Sequence, residues 1–354
     1  MPAIVALLHC FQPFVSTTTL RQLSKIIFAM LAMTGRVTML GLARWAGQGG
    51  SYRTVQRLFA TTLPWATLFW VFFRQHLLCA DDVYLLAGDE VVVRKAGAST
   101  HGLDRFFAGV YGRVVPGLAF FSLALISTHE RRAFPVRIEQ IVRSEAEKTA
   151  SRAKAAAKRA PKAVALRKAG RPKGSKNKTA ADVSLAPELL RIQAMLRAQL
   201  KLMAGQIPLV YLVLDGHFGT HPALHMVRQC GLHLISKLRC NAALYWPYTG
   251  PYQGHGPHRK YGDKLAYRQL PDSCLKTITQ EGQIETRIYQ IQALHKEFGQ
   301  PLNIVIIVKT NLQTRACAHV ILFSSDLALA YDKLTTGCSR RCSAALRNAA
   351  EPDR

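Results

Sequence analysis

Two aspartates, Asp89 and Asp215, each follow a short apolar run, Val83–Gly88 and Pro208–Leu214. Runs of this length and composition are typical of buried strands, so both carboxylates are predicted to lie at strand ends. Carboxylate oxygens are ligands that Mg²⁺ prefers. Two such ions, about 3.5–4 Å apart, support in-line phosphoryl transfer at a phosphodiester, and a third carboxylate normally completes their sites. In the alternative interpretation, each aspartate only forms a turn or caps the next helix.

The segments around these aspartates indicate an α/β fold. Further apolar runs predict strands at Gly117–Ser127, Leu232–Leu238, Asn303–Lys309 and Ala318–Phe323. A helix is predicted over His221–Cys230, with Gly231 as its stop. Continuous apolar strands mixed with helices favour a mostly covered mixed sheet flanked by helices.

Residues 16–80 are predicted to be helical. Apolar residues recur at helical spacing from Leu20 to Leu31, after capping candidates at 16–19. A second helix is predicted over Thr38–Trp45, and a third follows the glycine turn at 47–50, with Arg53 and Arg57 on one side. A helix, a glycine turn and a basic helix are typical of a helix-turn-helix that reads DNA. The alternative is a small helical bundle whose arginines face solvent.

The overall charge predicts a polyanionic partner. The chain of 354 residues has 47 Lys and Arg against 21 Asp and Glu, a net charge of +26, and is 49% hydrophobic. Such an excess of cations is offset most often by a nucleic-acid backbone or an anionic membrane. The longest apolar run, Leu63–Phe73, is too short for a span of about 20 residues, which favours nucleic acid. The eight scattered cysteines contain no C-x-x-C pair, which indicates reduced thiols rather than disulfides or zinc.

Much of the charge lies in a basic insert between Arg152 and Lys178. These 27 residues contain eleven Lys and Arg and no acid, so the insert is predicted to be mobile, or helical only when bound. The stretch Gly170–Lys178 is similar to an AT-hook, whose Gly-Arg-Pro core fits the narrow minor groove. The candidate DNA contacts here are Arg171, Lys173, Lys176 and Lys178, and the alternative is a nonspecific basic linker.

Two blocks surround the aspartates, Leu86–Gly97 and Leu212–Gly219. They resemble the first and the second catalytic block of the bacterial insertion-sequence transposases of the DDE superfamily. Arg259–Lys264, with the sequence RKYGDK, is similar to a basic element of those relatives and adds Arg259, Lys260 and Lys264 as candidate DNA contacts. The helical N-terminus, the basic insert and the block from Val320 to Leu334 also fit, so that the resemblance spans nearly all of residues 20–334.

This resemblance implies an RNase H-like catalytic fold with Asp89 and Asp215 as ligands of Mg²⁺ or Mn²⁺. It also implies that the partner is double-stranded DNA, both the transposon ends and the target. The protein is expected to act as a homodimer in the bacterial cytoplasm, associated with the nucleoid. His217, two residues after the second aspartate, is a candidate phosphate contact. The aromatic and basic stretch Tyr245–Lys260 is a candidate contact to a DNA end, the alternative being a structured loop whose aromatics pack locally.

The chain departs from the family pattern in its third acid. The expected helix, Tyr-x₂-Arg-x₃-Glu-x₆-Lys, is absent, because none of the eleven tyrosines has an arginine three residues later. After Leu334 the sequence becomes rich in Cys, Arg, Ser and Ala, as in a frameshifted tail. We therefore expect catalysis to be impaired.

Two alternatives remain open: a non-catalytic basic DNA-binding protein, and an RNase H-like nuclease with Glu90, Glu281 or Glu285 as third ligand. Glu90 is disfavoured because it directly follows Asp89 and should point to the other face of the strand. The expected domains are a helical DNA-binding domain (1–80), a catalytic domain in two parts (81–150 and 181–334), the basic insert (151–180) and a disordered tail (335–354).

Overall fold

The computed structural model describes residues 2–47, 50–97, 99–159, 183–252, 254, 256–267 and 269–335. The helices in this part of the chain are α1 (Pro2–Leu8), α2 (Thr17–Ala32), α3 (Met39–Trp45), α4 (Tyr52–Ala60), α5 (Trp65–His76), α6 (Glu145–Arg159), α7 (Pro187–Met203) and α8 (His221–Gln229). The strands are β1 (Tyr84–Arg94), β2 (Asp104–Ala108), β3 (Arg113–Ser127), β4 (Ala133–Ile141), β5 (Tyr211–Val213), β6 (His233–Leu238), β7 (Leu244–Pro247), β8 (Tyr261–Lys264), β9 (Leu275–Glu281), β10 (Ile284–His295), β11 (Pro301–Asn311) and β12 (Cys317–Ser324).

The N-terminal helices begin where the sequence predicts. Ser16, Thr38 and Ser51 are the N-caps of α2, α3 and α4, and each side-chain oxygen accepts a hydrogen bond from a backbone N–H three residues later. Such caps satisfy donors that the first helical turn leaves without a partner. The helices enclose a core of their own, which includes Leu23, Ala29, Leu42, Val55 and Leu68.

The twelve strands of the described residues form one mixed sheet, which confirms the predicted α/β class. Its order is β2-β3-β1-β5-β6-β12-β11-β10-β7-β8, with β4 on β3 and β9 on β10. β5 runs parallel to both β1 and β6, and the remaining pairs are antiparallel. The parallel pairing of β1 with β5 needs a crossover, and the chain between these strands contains β2, β3, β4, α6, the insert and α7.

The two faces of the sheet differ in what covers them. One face, here called the helix face, packs Leu86, Leu123 and Leu212 against α5, α7 and α8 in the main core. On the other face, Leu85, Val213 and Ile235 form a smaller cluster with Leu329 and Leu334. Since Asp89 has the same parity on β1 as Leu85, it belongs to this second face, here called the aspartate face.

Parts of the chain fall outside the described residues. The first part of the predicted insert, up to Arg159, belongs to α6. Residues 160–182, with the AT-hook-like stretch, and residues 336–354 of the predicted tail lie outside. None of the helices in the described ranges combines the length and apolar character that a membrane crossing requires.

Candidate active site

Asp89 lies in the middle of β1, not at the end of a strand as predicted. The strand continues to Arg94 because it pairs with β3 along its whole length, from Tyr84–Ser127 to Arg94–Gly117. Asp89 is half-buried and lies opposite Ser122. The hydroxyl of Ser122 donates to the backbone oxygen of Asp89 at 3.3 Å. The backbone of Asp89 is thus held by β3, and β1 also pairs with the end of β5 two residues earlier, at Ala87.

Asp215 lies two residues beyond β5, which is only three residues long. The N–H of Leu214 still donates to Ile235 of β6, at 3.0 Å. The Oδ1 atom of Asp215 accepts from the N–H of His217 at 3.1 Å and caps a 3-10 turn, Gly216–Phe218. Its backbone oxygen accepts from the buried hydroxyl of Ser236, at 2.7 Å. These contacts fix both the backbone and the carboxylate of Asp215.

The turn after Asp215 packs so closely on β6 that residue 219 must be glycine. A Cβ at Gly219 would lie 2.2 Å from the backbone oxygen of Lys237, whereas a Cβ at Gly216 would meet nothing closer than 3.5 Å. Gly88 is similarly enclosed, by the side chains of Leu214 and Phe121 on the helix face. Gly88 therefore allows β1 to pack closely against Leu214 and Phe121, and Gly219 allows the 216–219 turn to pack closely against β6.

The register sets the two aspartates level with each other. The parallel pairs between β1 and β5 are Leu86–Leu212 and Ala87–Val213, so Asp89 and Asp215 both lie two positions beyond the last pair. Asp215 has an extended backbone, and Leu214 before it belongs to the helix-face core. By alternation, both carboxylates project from the aspartate face. Adjacent strands lie about 4.8 Å apart, a separation at which two carboxylates can share one cation.

The donor set fits a hard divalent cation, since Mg²⁺ is usually bound by one or two carboxylates together with waters and substrate phosphates. Within the described residues, no group of three His, Cys, Asp or Glu side chains is arranged to hold a metal. The third carboxylate that the sequence lacks is thus also missing from this part of the structure.

The proposed replacements for that third acid do not reach the pair. Glu90 has the parity of Leu86 and lies on the helix face, as expected from its position next to Asp89. Glu281 and Glu285 lie on β9 and β10, and β10 is five strands from β1. At about 4.8 Å a strand, this is a distance of roughly 24 Å.

A second polar group lies directly behind the aspartates, on the helix face. The Nε2 atom of His217 is 3.5 Å from Oε1 of Glu188, in the first turn of α7. The hydrogen bond that His217 donates to Glu188 raises the pKa of His217 although partial burial opposes this, and the same hydrogen bond lowers the pKa of Glu188. Burial, followed by the nearby charge of Glu188, raises the pKa of Glu90. His217 is therefore paired with an acid while 67% of its side chain stays exposed, and the phosphate contact that the sequence suggests stays a prediction.

Sequence reasoning missed Glu188. Its one local signal is an acid directly after Pro187 at a helix start, a position favoured by the helix dipole. That signal says nothing about His217, which lies 29 positions later.

The predicted DNA contacts fall in separate places. Arg53 and Arg57 are exposed on α4, and Arg259, Lys260 and Lys264 lie at the β7–β8 hairpin. The aromatics of this hairpin pack locally: Arg259 lies over Tyr248 at 4.9 Å, and Tyr252 stacks on His258 at 4.5 Å. Arg171, Lys173, Lys176 and Lys178 belong to the residues outside the described ranges.

The model of the DDE superfamily endonuclease family matches residues 7–297. The chain belongs to this family. The matched residues include most of the N-terminal helices, Asp89, Asp215 and the sheet as far as β10. The mixed sheet with its flanking helices is the RNase H-like fold of a DDE endonuclease. No curated protein matches the chain significantly.

Proposed function

We propose that this DDE endonuclease is the transposase of a bacterial insertion sequence. It would cut and join DNA in a catalytic site formed by Asp89 and Asp215. The observation that supports this proposal is the parallel register of β1 and β5, in which Asp89 and Asp215 each follow the last pair, Ala87–Val213, by two residues. A divalent cation held there, Mg²⁺ or Mn²⁺, would supply Lewis-acid stabilisation of in-line phosphoryl transfer. Double-stranded DNA is the proposed substrate, and a homodimer would act on two ends.

The protein's own contribution is positioning. β3 holds the backbone of Asp89, while the N–H of His217 orients the carboxylate of Asp215. Carboxylates that are fixed in advance lose little further freedom when substrate and cation bind. We further propose that activity is impaired, because no third acid joins the pair within the described residues.

The test uses the full-length chain, supercoiled plasmid and either Mn²⁺ or Mg²⁺. We expect slow nicking that Asp89→Asn and Asp215→Asn each abolish, while Asp81→Asn, at an exposed aspartate between α5 and β1, leaves it unchanged. Calorimetry with Mn²⁺ should show heat of binding that both site variants lose. Nicking that persists in Asp89→Asn would contradict the proposal.

The missing third acid favours one second candidate, a non-catalytic DNA-binding protein. This function requires DNA binding that neither chelators nor the two aspartate variants alter, and it requires no heat of binding with Mn²⁺. The calorimetric experiment therefore separates the two functions even where nicking is weak.

A further inference from the structure

Beyond Asp89, three strands continue as a ribbon with exposed apolar side chains. The end of β1 pairs with the first half of β3, and β2 pairs with the start of β3. In this part of β3 the odd-numbered residues from Val115 onward are buried and the even-numbered ones are more exposed. Phe107 is 63% exposed and Val110, at the tip, is 93% exposed. Such a concentration of exposed apolar side chains is typical of an interaction surface.

The exposed side of the ribbon is continuous with the aspartate face. Val91 and Val93 have the same parity as Asp89, and both are exposed. The register places them opposite Phe120 and Leu118, and it pairs Val114 with Phe107 further along. We call this set the ribbon strip: Val91, Val93, Phe107, Val114, Leu118 and Phe120. From the level of Asp89 to Val114 it extends over eight residues of β3, or about 26 Å.

The charge around the ribbon strip is almost entirely positive. Arg105 has the same parity on β2 as Phe107, Lys95 directly follows β1, and Arg94 and Arg113 lie on the other face of the same ribbon. From residue 91 to residue 129 the sequence contains a single acid, Asp104. That acid is paired with Arg143, at 3.6 Å. The strip therefore offers apolar surface between cations.

We propose that the ribbon strip binds unpaired nucleotides of the DNA strand that leaves the two aspartates. Aromatic and apolar side chains bind the faces of bases, which are accessible only where strands are unpaired, while neighbouring cations hold the phosphates. A second copy of the chain suits the strip less well, because each copy carries +26 and the cations of two ribbons would repel each other. The proposal rests on the proposed function, since it assumes that DNA reaches Asp89 and Asp215.

The experiment compares two probes bound to the full-length chain in the presence of a chelator, so that cleavage does not interfere. One probe is a blunt hairpin duplex, and the other is the same duplex with about eight unpaired nucleotides at its end. We expect wild-type protein to bind the extended probe more tightly. The double variant Phe107→Ser/Val114→Ser, which removes two exposed members of the strip, should lose that preference, a drop of about tenfold on the extended probe with the blunt probe unchanged.

Ile278→Ser is the matched control, because Ile278 is also half-exposed and lies on β9 at the far side of the sheet. It should keep the preference, and thermal melting should show all variants folded. A wild-type protein without preference, or an equal loss on both probes, would overturn the proposal. If light scattering shows dimers of the wild-type protein but monomers of the double variant, the strip binds a second copy of the chain, and the proposal is wrong. Asp89→Asn should keep the preference while it loses nicking, so failure of the strip and failure of the proposed function are distinguishable.

Discussion

At the residue scale, the candidate site has two layers on opposite faces of one sheet. The carboxylates of Asp89 and Asp215 project from the aspartate face, and the His217–Glu188 pair lies behind them. His217 joins the layers, because its backbone N–H holds Asp215 while its ring holds Glu188. The ion pair thereby connects α7 with the turn that carries the second aspartate.

Removal of the Glu188 carboxylate should lower the pKa of His217. The hydrogen bond to the carboxylate of Glu188 is the main cause of the raised value, so Glu188→Gln should shift the histidine titration, followed by NMR, to lower pH. Glu285→Gln, whose carboxylate instead pairs with Arg287, is the control and should leave it unchanged. An unshifted His217 in Glu188→Gln would show that the pair does not form in solution.

The pair also has a pH window. A raised histidine pKa contributes stability that is lost as pH rises through that value. A lowered glutamate pKa contributes stability that is lost as pH falls through it. The contribution of the pair is therefore greatest between the two pKa values.

A second residue-scale prediction concerns Tyr211 on β5. Its hydroxyl donates to Oδ2 of Asp326 at 2.6 Å. Burial, together with this hydrogen bond, raises the pKa of Tyr211 to about 12. Burial alone would raise the pKa of Asp326, but the bonds from Tyr211 and the N–H of Ala328 outweigh it and lower the value.

Tyr211→Phe should reduce the free energy of unfolding by about 1.5 kcal/mol at neutral pH. A lowered aspartate pKa gives stability above its unfolded value that disappears as pH falls through the folded value. The difference from wild type, measured by urea unfolding, should therefore shrink in acid. Tyr111→Phe, at the exposed ribbon tip, is the control, and a pH-independent difference would contradict the assignment.

At the element scale, the accuracy of sequence reasoning depended on how local the determining interactions are. The caps at Ser16, Thr38 and Ser51 act within four residues, so the N-terminal helices could be predicted. The length of β1 depends on its pairing with β3, which no local pattern shows. No local pattern predicts β9 and β10, because β9 is mostly polar and exposed, while β10 alternates polar with apolar residues and contains no continuous apolar run. Both aspartates could be found from their apolar strands, but their level register could not.

The turn from Asp215 to Gly219 gives the prediction at this scale. Gly219→Ala would force a Cβ against the backbone of Lys237, whereas Gly216→Ala makes only ordinary contact. We expect the first substitution to cost on the order of 2 kcal/mol in urea unfolding and to weaken Mn²⁺ binding in calorimetry. Gly216→Ala is the matched control. Equal behaviour of the two variants would mean that the turn does not pack on β6 as described.

At the scale of the whole molecule, the charge of +26 should make DNA binding strongly dependent on salt. Each phosphate contact contributes about −0.9 to the slope of log affinity against log salt concentration. Arg53→Ala/Arg57→Ala on α4 should therefore weaken duplex binding and make that slope shallower by about 2. Lys201→Ala/Lys276→Ala removes two exposed cations elsewhere and should change the slope less. Equal slopes for both double variants would remove α4 from the DNA interface.

The long crossover between β1 and β5 also fixes the order in which the parts form during synthesis. The N-terminal core closes within the first 76 residues, and even its long contacts, such as Phe11 with Phe72, are shorter in sequence than the pairing of Ala87 with Val213. β1 finds β5 only after residue 213 has left the ribosome, when the basic insert has already emerged. Closing so large a loop is slow compared with forming local helices. The growing chain thus completes the domain proposed to bind DNA before it completes the site proposed to cut it.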